Sequence, residues 1–230
     1  MRRVFCIFLV MFLLIPAVSA GERPKFVALT FDDGPSGRYT TALLDGLESR
    51  EVSATFFLCG YRLETYPELA ARIRQQGHEI GLHGFSHKMM NRMPQWEIRL
   101  ELEKTIALLP PGCSAVFFRP PGGATSKAVK AAARELDLAI LNWSVDPRDW
   151  ATTNAADVES AIMDLTGDGD VILLHDMRDS SVDAALATVD KLLAQGYKFV
   201  TASQLAAIRG IRPVPGEVYC SFSHKNANTK

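Results

Sequence analysis

Short apolar runs rich in β-branched and aromatic residues alternate along the chain with stretches whose apolar residues recur every three or four positions. The first pattern is typical of buried strands and the second of amphipathic helices. The segments predicted as strands are Lys25–Thr30, Ser53–Leu58, Glu79–Leu82, Ala115–Phe118, Ala139–Val145, Asp170–Leu174 and Lys198–Thr201. The segments predicted as helices are Tyr39–Arg50, Tyr66–Gln76, Gln95–Leu109, Ser126–Leu136, Ala155–Leu165 and Ser180–Gln195. This alternation predicts a parallel sheet with helical crossovers.

Parallel strands with right-handed crossovers form either an open doubly wound sheet or a closed barrel. Periodicity alone does not distinguish the two. Seven or eight strand–helix units in roughly 200 residues favour the barrel. The unusual polar clusters also follow predicted strands, which is where barrel enzymes build their active sites.

The first twenty residues differ from the rest of the chain. Arg2 and Arg3 precede an unbroken apolar run, which is followed by Pro16 and the small residues Ser19 and Ala20. This pattern predicts a secretory signal peptide, because a membrane anchor needs roughly 20 apolar residues and this run is shorter. We expect cleavage after Ala20, one domain over residues 21–230, no membrane span in the mature chain, and a secreted or periplasmic protein.

Composition and charge narrow the function classes. The chain is 47% hydrophobic and 22% charged, as in ordinary globular proteins, and its net charge of −1 predicts no nucleic-acid partner. Beyond the leader, Cys59, Cys113 and Cys220 match no disulfide framework or zinc ribbon. One disulfide plus one thiol is open to them, but buried or incidental thiols are the preferred interpretation. We expect a monomer.

The first predicted strand runs into Thr30-Phe31-Asp32-Asp33-Gly34-Pro35. Two carboxylates at the end of an apolar strand are costly to bury unless a cation or hydrogen-bond donors compensate them. Neighbouring strand residues point to opposite faces, so the two have different roles unless the strand has already ended. A surface turn is the alternative interpretation, since Asp, Gly and Pro form turns.

The third predicted strand leads into His83-x₃-His87. Histidines four residues apart can chelate one ion from a helical turn or a tight loop. Taken alone, this spacing is as compatible with chance as with metal binding. Combined with a carboxylate, it makes a set of two histidines and one carboxylate with open coordination positions, as expected of a catalytic divalent site.

Three further clusters follow later strands: Arg119-Pro120-Pro121-Gly122-Gly123, Asp146-Pro147-Arg148-Asp149-Trp150 and Leu173-Leu174-His175-Asp176. Taken singly, each could be a structural ion pair or a capped core residue. Together on one rim of one barrel, they supply metal ligands, a spare carboxylate, another histidine and a carboxylate partner for it.

With these residues in order, the sequence resembles the polysaccharide deacetylases, the NodB-homology domain of carbohydrate esterase family four. The matching motifs are Thr30-Phe31-Asp32-Asp33-Gly34, His83-x₃-His87, Arg119-Pro120-Pro121, Asp146-x-x-Asp149-Trp150 and Leu173-Leu174-His175. The resemblance covers roughly residues 25–205. It implies a deformed (β/α)₇ barrel that hydrolyses the carbon–nitrogen bond of N-acetylated sugars with a divalent ion.

The resemblance implies that Asp33, His83 and His87 are the metal ligands. The ion is usually zinc, with Co²⁺ or Ni²⁺ as alternatives. A bound metal depresses the pKa of a water molecule and polarises the acetyl carbonyl.

Further roles come from the same resemblance. Asp32 corresponds to the general base, and Arg119 to the cation that orients it. His175 corresponds to the general acid that protonates the leaving amine, and Asp149 to the carboxylate that supports the imidazolium.

Substrate contacts are implied for Gly122, Trp150 and Leu173, the last two as apolar walls around the acetyl methyl group.

Two departures from the family pattern stand out. Gly84 occupies a position that is commonly Ser or Thr, so we expect the metal loop to lack a steadying side-chain hydrogen bond. Gly122 occupies a commonly aromatic position, so its N–H can still bind an oxyanion while an aromatic surface is lost.

The expected function is therefore an exported N-deacetylase of a glycan containing N-acetylglucosamine, either peptidoglycan or a chitin-like oligosaccharide. An O-acetyl esterase or non-sugar amide hydrolase of the same family is an alternative, because a reactive site does not identify the distant parts of its substrate. A carbohydrate-binding module without turnover is another.

Overall fold

The computed structural model describes residues 23–223, in which eight parallel strands form a sheet surrounded by helices. The strands are β1 (Lys25–Asp32), β2 (Thr55–Leu58), β3 (Glu79–Leu82), β4 (Phe117–Phe118), β5 (Ala139–Leu141), β6 (Val171–His175), β7 (Tyr197–Phe199) and β8 (Val218–Tyr219). Their order is β6-β1-β2-β3-β4-β5-β8, and β7 pairs with the first residues of β1.

The sheet curls until its two ends approach each other. A bridge between Val145 and Ile172 joins the segment after β5 to β6. The Val145 N–H donates to the carbonyl of Val171 at 3.1 Å, and its carbonyl accepts from the Leu173 N–H at 2.9 Å. The predicted deformed (β/α)₇ barrel is confirmed, and the structure supplies the narrow closure that periodicity could not predict.

Helices cover the outside of the sheet. They are α1 (Gly37–Glu48), α2 (Gly60–Thr65), α3 (Pro67–Gln75), α4 (Gln95–Ile106), α5 (Lys127–Glu135), α6 (Ala155–Leu165), α7 (Asp179–Ala194) and α8 (Ala202–Ile208). Single 3₁₀ turns lie at Met90–Arg92, Pro121–Gly123 and Asp149–Ala151. The six predicted helices are present, α6 with the predicted bounds and the others with shifts at one or both ends. For example, Ser126 caps α5 by accepting from the Val129 N–H and is not itself helical.

Three short elements were absent from the sequence prediction, and several strands are shorter than expected, the fifth most of all. Helices α2 and α8 and strand β8 contain too few residues to show a periodic pattern. The predicted strand Ala139–Val145 ends at Leu141. Beyond the last ladder bond, from the Asn142 N–H to the Tyr219 carbonyl, the carbonyls of Leu141 and Asn142 accept from the Arg119 guanidinium.

Alternate strand residues pack on opposite sides of the sheet. On β1, Leu29 and Phe31 face outward into a core shared with α1 and α7. The inward face carries Phe57, Phe117 and Leu141, and it is sealed by apolar residues of α8 and by Phe222. The inside of the barrel is therefore a packed core toward the amino ends of the strands, and it opens into a cleft at their carboxyl ends.

A polar clamp ties the amino end of the sheet to α8. Thr55 on β2 is fully buried; its hydroxyl accepts from the Ala202 N–H at 2.9 Å and donates to the Glu79 carboxylate at 3.1 Å. The same carboxylate accepts from the N–H and the hydroxyl of Ser203. Because Thr55 and Ala202 are fully buried, the hydroxyl and the N–H group must find their partners within the protein.

The three cysteines beyond the leader are free thiols in the described part of the chain, with Cys59 buried, Cys113 half-buried and Cys220 exposed. This agrees with the preferred interpretation. Within residues 23–223, no helix is both long and apolar enough to cross a membrane. The predicted signal peptide lies outside the described residues.

Thr55→Val tests the clamp. Valine has the same shape but leaves the Ala202 N–H buried without an acceptor, so we expect the free energy of unfolding to fall by about 1–3 kcal/mol. Urea denaturation followed by circular dichroism measures this. A change below about 0.5 kcal/mol, the ordinary range for surface substitutions, would show that the clamp contributes little.

Candidate active site

The polar clusters predicted from sequence converge on one cleft at the carboxyl edge of the strands. The cleft has a volume of about 350 Å³. Its lining residues are Asp32, Asp33, His83, His87, Gly122, Trp143, Asp146, Trp150, Leu173 and His175. All of the predicted site residues line it except Arg119 and Asp149, which are buried directly behind.

The two adjacent aspartates have different environments because β1 ends between them. Asp32 is the last residue of the strand and is 3% exposed. Asp33 lies beyond the strand in a left-handed conformation with φ of 75°. This turn directs the second carboxylate toward the histidine loop instead of the outer face. Because the strand ends at Asp32, both aspartates can face the same cleft instead of opposite sides of the sheet.

Asp33 and the two histidines form a compact set of candidate ligands. The Asp33 Oδ1 atom lies 3.3 Å from His83 Nε2 and 2.9 Å from His87 Nε2. One ligand atom from each of the three residues lies within 4.8 Å of the other two. Asp33 Oδ1 is buried and lacks a hydrogen bond of normal geometry. A buried carboxylate oxygen that faces two imidazole nitrogens fits a divalent metal ion.

Electrostatics favour an ionised Asp33. Burial by itself raises the pKa of the Asp33 carboxyl, but the close approach and charge of His83 and His87 outweigh burial, so its pKa lies well below its usual range. The contact with Asp33 also raises the pKa of His87.

The ring of His83 is fixed from behind. Its Nδ1 lies 2.7 Å from the carbonyl oxygen of Arg119. A carbonyl only accepts, so Nδ1 carries a hydrogen and Nε2 is the ring nitrogen that faces Asp33. Backbone carbonyls are common outer partners of metal-binding histidines because they select this tautomer.

Arg119 fills the interior beneath the cleft and is completely buried. Its guanidinium donates to Asp32 Oδ1 at 2.6 Å and to Thr30 Oγ1 at 2.9 Å. It also donates to the carbonyls of Leu141 and Asn142, both at 2.8 Å. Burial lowers the pKa of Arg119, and the Asp32 carboxylate opposes that effect. These bonds leave Asp32 Oδ2 directed at the cleft, 3.7 Å from His83 Nε2.

His175 ends β6 and pairs in register with Asp32 on β1, so the two side chains lie on the same face. Its Nδ1 lies 2.8 Å from Asp149 Oδ1. Asp149 is 1% exposed, and its other oxygen accepts from the Ser181 hydroxyl at 2.6 Å and from the His175 N–H at 2.9 Å. Asp149 therefore holds both the ring and the backbone of His175.

This arrangement favours the imidazolium form of His175. Burial lowers the pKa of His175, but the hydrogen bond and charge of Asp149, together with the charges of Asp32 and Asp33, raise it to about 9. Near neutral pH, His175 is thus protonated, and it lies on the same face of the sheet as the buried carboxylate of Asp32.

The loop of Asp33 is packed against a buried acid, Asp176. Its carboxylate accepts a hydrogen bond from Thr40, and its carbonyl accepts from Ser36. Burial raises the pKa of Asp176 to about 7. A Cβ atom at Gly34 would lie 2.6 Å from this carboxylate, so the small residue after the aspartate doublet is required by space.

Gly84 has no side chain with which to steady the histidine loop, but the loop receives side-chain hydrogen bonds from another element. Glu101 on α4 accepts from the N–H groups of Phe85 and Ser86 and from the Ser86 hydroxyl. Gly84 itself has a φ of 78°, and a Cβ there would lie 2.3 Å from Met90 Cε. No larger residue fits without displacing Met90.

At Gly122 the structure adds a neighbour that the sequence did not reveal. Its φ is 65°, and a Cβ there would lie 3.2 Å from the exposed side chain of Met89. Trp143 also lines the cleft, with the Arg119 guanidinium 5.6 Å from its ring. The only sequence signal for Trp143 was an aromatic residue at the end of a predicted strand. Glu101 had none, because its helix has an ordinary amphipathic pattern.

Comparison with known proteins agrees with this geometry. Residues 19–141 match the sequence profile of a family described as polysaccharide deacetylase. The chain is 36% identical over 187 residues to PdaC, a peptidoglycan-N-acetylmuramic acid deacetylase of Bacillus subtilis, which covers 80% of this chain and 39% of that protein. It is 34% identical over 193 residues to a peptidoglycan-N-acetylglucosamine deacetylase of Bacillus cereus, covering 79% of this chain and 88% of that one.

Among solved structures, a family 4 acetyl xylan esterase from Clostridium thermocellum, in complex with a cobalt ion, superposes with a TM-score of 0.81. Sequence identity is 32%, over 86% of this chain and 98% of the esterase. The chain spans only about two fifths of the length of PdaC.

Asp149→Asn tests the electrostatics of His175. Without the charge of Asp149, the pKa of His175 should fall from about 9 toward or below its ordinary 6.5. An NMR titration of the His175 ring in chelator-treated protein measures this. Because the folded pKa is the higher one, the pairing stabilises the fold fully below pH 6.5, and this contribution is lost as pH rises through 9.

Ser181→Ala is the matched control, since it removes a neutral partner of Asp149 and keeps the charge. We expect it to leave the pKa of His175 near the wild-type value. Equal pKa values in Asp149→Asn and wild type would contradict the assignment of Asp149 as the dominant partner.

Proposed function

Because the chain belongs to the polysaccharide deacetylase family, we propose that it is an exported, metal-dependent hydrolase that removes acetyl groups from N-acetylated sugars of a glycan. The observation that carries the proposal is the pairing of Asp32 with His175 across one cleft, beside the Asp33, His83 and His87 set. A carboxylate that can take a proton and an imidazolium that can give one are the groups that amide hydrolysis needs.

Asp33, His83 and His87 would hold the ion, most simply Zn²⁺, with Co²⁺ or Ni²⁺ as alternatives. When bound, a divalent ion supplies Lewis acidity, which acidifies water and polarises a carbonyl oxygen. The donor set supports this, since a carboxylate and two imidazoles suit these metals and leave coordination positions open.

Asp32 would act as the general base. Arg119 binds its Oδ1, which leaves Oδ2 directed into the cleft. In this position, Oδ2 would accept the proton of the attacking water. Arg119 would act as a positioning residue, because its contacts to Thr30, Leu141 and Asn142 prevent Asp32 from changing rotamer.

His175 would act as the general acid that protonates the leaving amine. An amine leaves poorly unless it is protonated, so this step matters more for an amide than for an ester. Asp149 would keep the imidazolium in place, as the carboxylate of a hydrolase triad does.

The remaining predicted residues would bind the acetyl group. The Gly122 N–H would donate to the developing oxyanion. Leu173, 3% exposed, and Trp150, 51% exposed, would form the apolar walls around the methyl group. The exposed ring of Trp150 also offers an amphipathic surface to a sugar face.

The names of these relatives support a peptidoglycan substrate, with acetate as the product, and a chitin-like oligosaccharide is the alternative substrate expected from the sequence. The acetyl xylan esterase of similar fold keeps an O-acetyl esterase as the second candidate. Export would follow from cleavage of the signal peptide after Ala20, leaving residues 21–230 as a single, monomeric domain.

Acetate release tests the proposal. We expect residues 21–230 with zinc to release acetate from N-acetyl-chitooligosaccharides or peptidoglycan fragments, and we expect a chelator to abolish this activity. Acetate from acetylated xylan alone would favour the esterase. No acetate from any of the three, with folded protein and bound zinc, would contradict an enzymatic function and favour a binding module.

Asp32→Asn tests the general base. Asparagine can still accept from Arg119 but cannot take a proton, so we expect kcat to fall by about 10²–10⁴-fold with zinc binding retained. Asp45→Asn is the control, because Asp45 is an exposed partner of Arg72 far from the cleft. Wild-type turnover in Asp32→Asn would rule out this role.

A further inference from the structure

The backbone between the two candidate histidine ligands is held from two sides. On one side, α2 donates to it: the Gly60 N–H bonds to the carbonyl of Gly84 at 2.9 Å, and the Tyr61 N–H bonds to that of Phe85 at 3.0 Å. These bonds fix the carbonyl groups of the loop. They do not satisfy its N–H groups, which point the other way.

Glu101 satisfies those N–H groups from the other side. Its Oε2 atom accepts from the N–H of Phe85 at 3.0 Å, from the N–H of Ser86 at 2.7 Å and from the hydroxyl of Ser86 at 2.8 Å. One carboxylate oxygen therefore gathers three donors from two consecutive residues. Hydrogen bonds to an ionised acceptor are shorter and about twice as strong as neutral ones.

The carboxylate is itself well anchored. Glu101 lies in the middle of α4, whose neighbouring residues Ile98, Leu102 and Thr105 are fully buried. The Thr105 hydroxyl bonds to the Glu101 carbonyl at 2.8 Å. Within residues 23–223, Glu101 has no ion pair with an arginine or lysine, and the hydrogen-bond donors of its carboxylate all belong to the loop.

The loop path that Glu101 supports is an uncommon one. Gly84 has a φ of 78°, and His87 has a φ of 57°, which is unfavourable for a residue with a side chain. In this path, the His83 and His87 rings lie with their centroids 5.1 Å apart and both Nε2 atoms toward Asp33. A relaxed loop would move His87, which is the more exposed of the two histidines, out of this arrangement.

We propose that Glu101 is a positioning residue for the metal centre, holding the His83–His87 loop in its ligating conformation before the ion arrives. The inference rests on the proposed function, since it assumes that these histidines bind a metal. Metal binding to a preformed site avoids the entropic cost of ordering the loop. Loss of an outer-shell partner of metal ligands typically weakens metal affinity by about 10–100-fold.

Zinc affinity measured by competition with a chromophoric chelator tests the inference. We expect Glu101→Ala to raise the zinc dissociation constant by about 10–100-fold. Glu101→Gln keeps the shape but replaces the ionised acceptor with a neutral one, so we expect a smaller increase of several-fold. If the alanine variant does not fold, the glutamine variant decides by itself.

Amide hydrogen exchange in the zinc-free protein provides a second measurement. The N–H groups of Phe85 and Ser86 should exchange faster in Glu101→Ala than in wild type, because their acceptor is lost. Exchange of the N–H groups of Gly60 and Tyr61 should change less, because their acceptors remain.

Two controls separate positioning from general stability. Glu103→Gln changes a carboxylate on the same helix that pairs with the exposed Arg99, and it should leave zinc affinity unchanged. Thr55→Val destabilises the opposite end of the barrel and should also leave zinc affinity unchanged. A merely structural Glu101 would behave like Thr55→Val, with lower stability and wild-type zinc affinity.

The outcomes distinguish the two proposals. Wild-type zinc affinity in folded Glu101→Gln and Glu101→Ala would overturn the positioning role and leave the proposed function intact. Failure of the wild-type protein to bind zinc would overturn the metal centre itself, and the positioning role with it.

Discussion

The buried guanidinium of Arg119 is the constraint around which the cleft is organised. It is enclosed between the Phe57 ring at 4.0 Å and the Trp143 ring at 5.6 Å. A buried cation is tolerated only if its N–H donors find acceptors. Arg119 donates to one carboxylate, one hydroxyl and two carbonyls. Since these acceptors come from β1 and from the end of β5, and since the Arg119 carbonyl orients His83, one residue fixes three parts of the rim relative to one another.

The groups that face the cleft are each held by a partner behind them. Asp149 and Ser181 hold His175, Glu101 holds the histidine loop, and Asp176 lies against the loop of Asp33. Rigid support of this kind matters because acid–base and metal chemistry tolerate little displacement of the reacting groups. Where two segments approach closely, the chain has glycine, which explains Gly34 and Gly84 as requirements of packing.

Much of this could be predicted from the sequence because the signals are local. Strand and helix periodicity is set within a few residues, and the predicted strands and helices are present with modest shifts at their ends. The polar clusters were predictable because they lie at or beyond the ends of apolar strands, and parallel strands bring their carboxyl ends to one edge. The roles of their residues came from the resemblance to a known family. The short elements α2, α8 and β8 were not predicted because they contain too few residues for a periodic pattern to appear.

The amino-acid sequence was enough to predict the fold class, the edge of the sheet that carries the polar clusters, and the chemical types gathered there. The folded structure was needed to establish how the sheet closes, through Val145 and Ile172, and how Asp32 and Asp33 diverge. It was also needed to establish that Glu101, fifteen residues beyond Ser86 in the chain, holds the histidine loop. The reason is physical: closure and support depend on contacts between segments that are distant in sequence, and periodicity reports only which face of an element is apolar, not which partner that face meets.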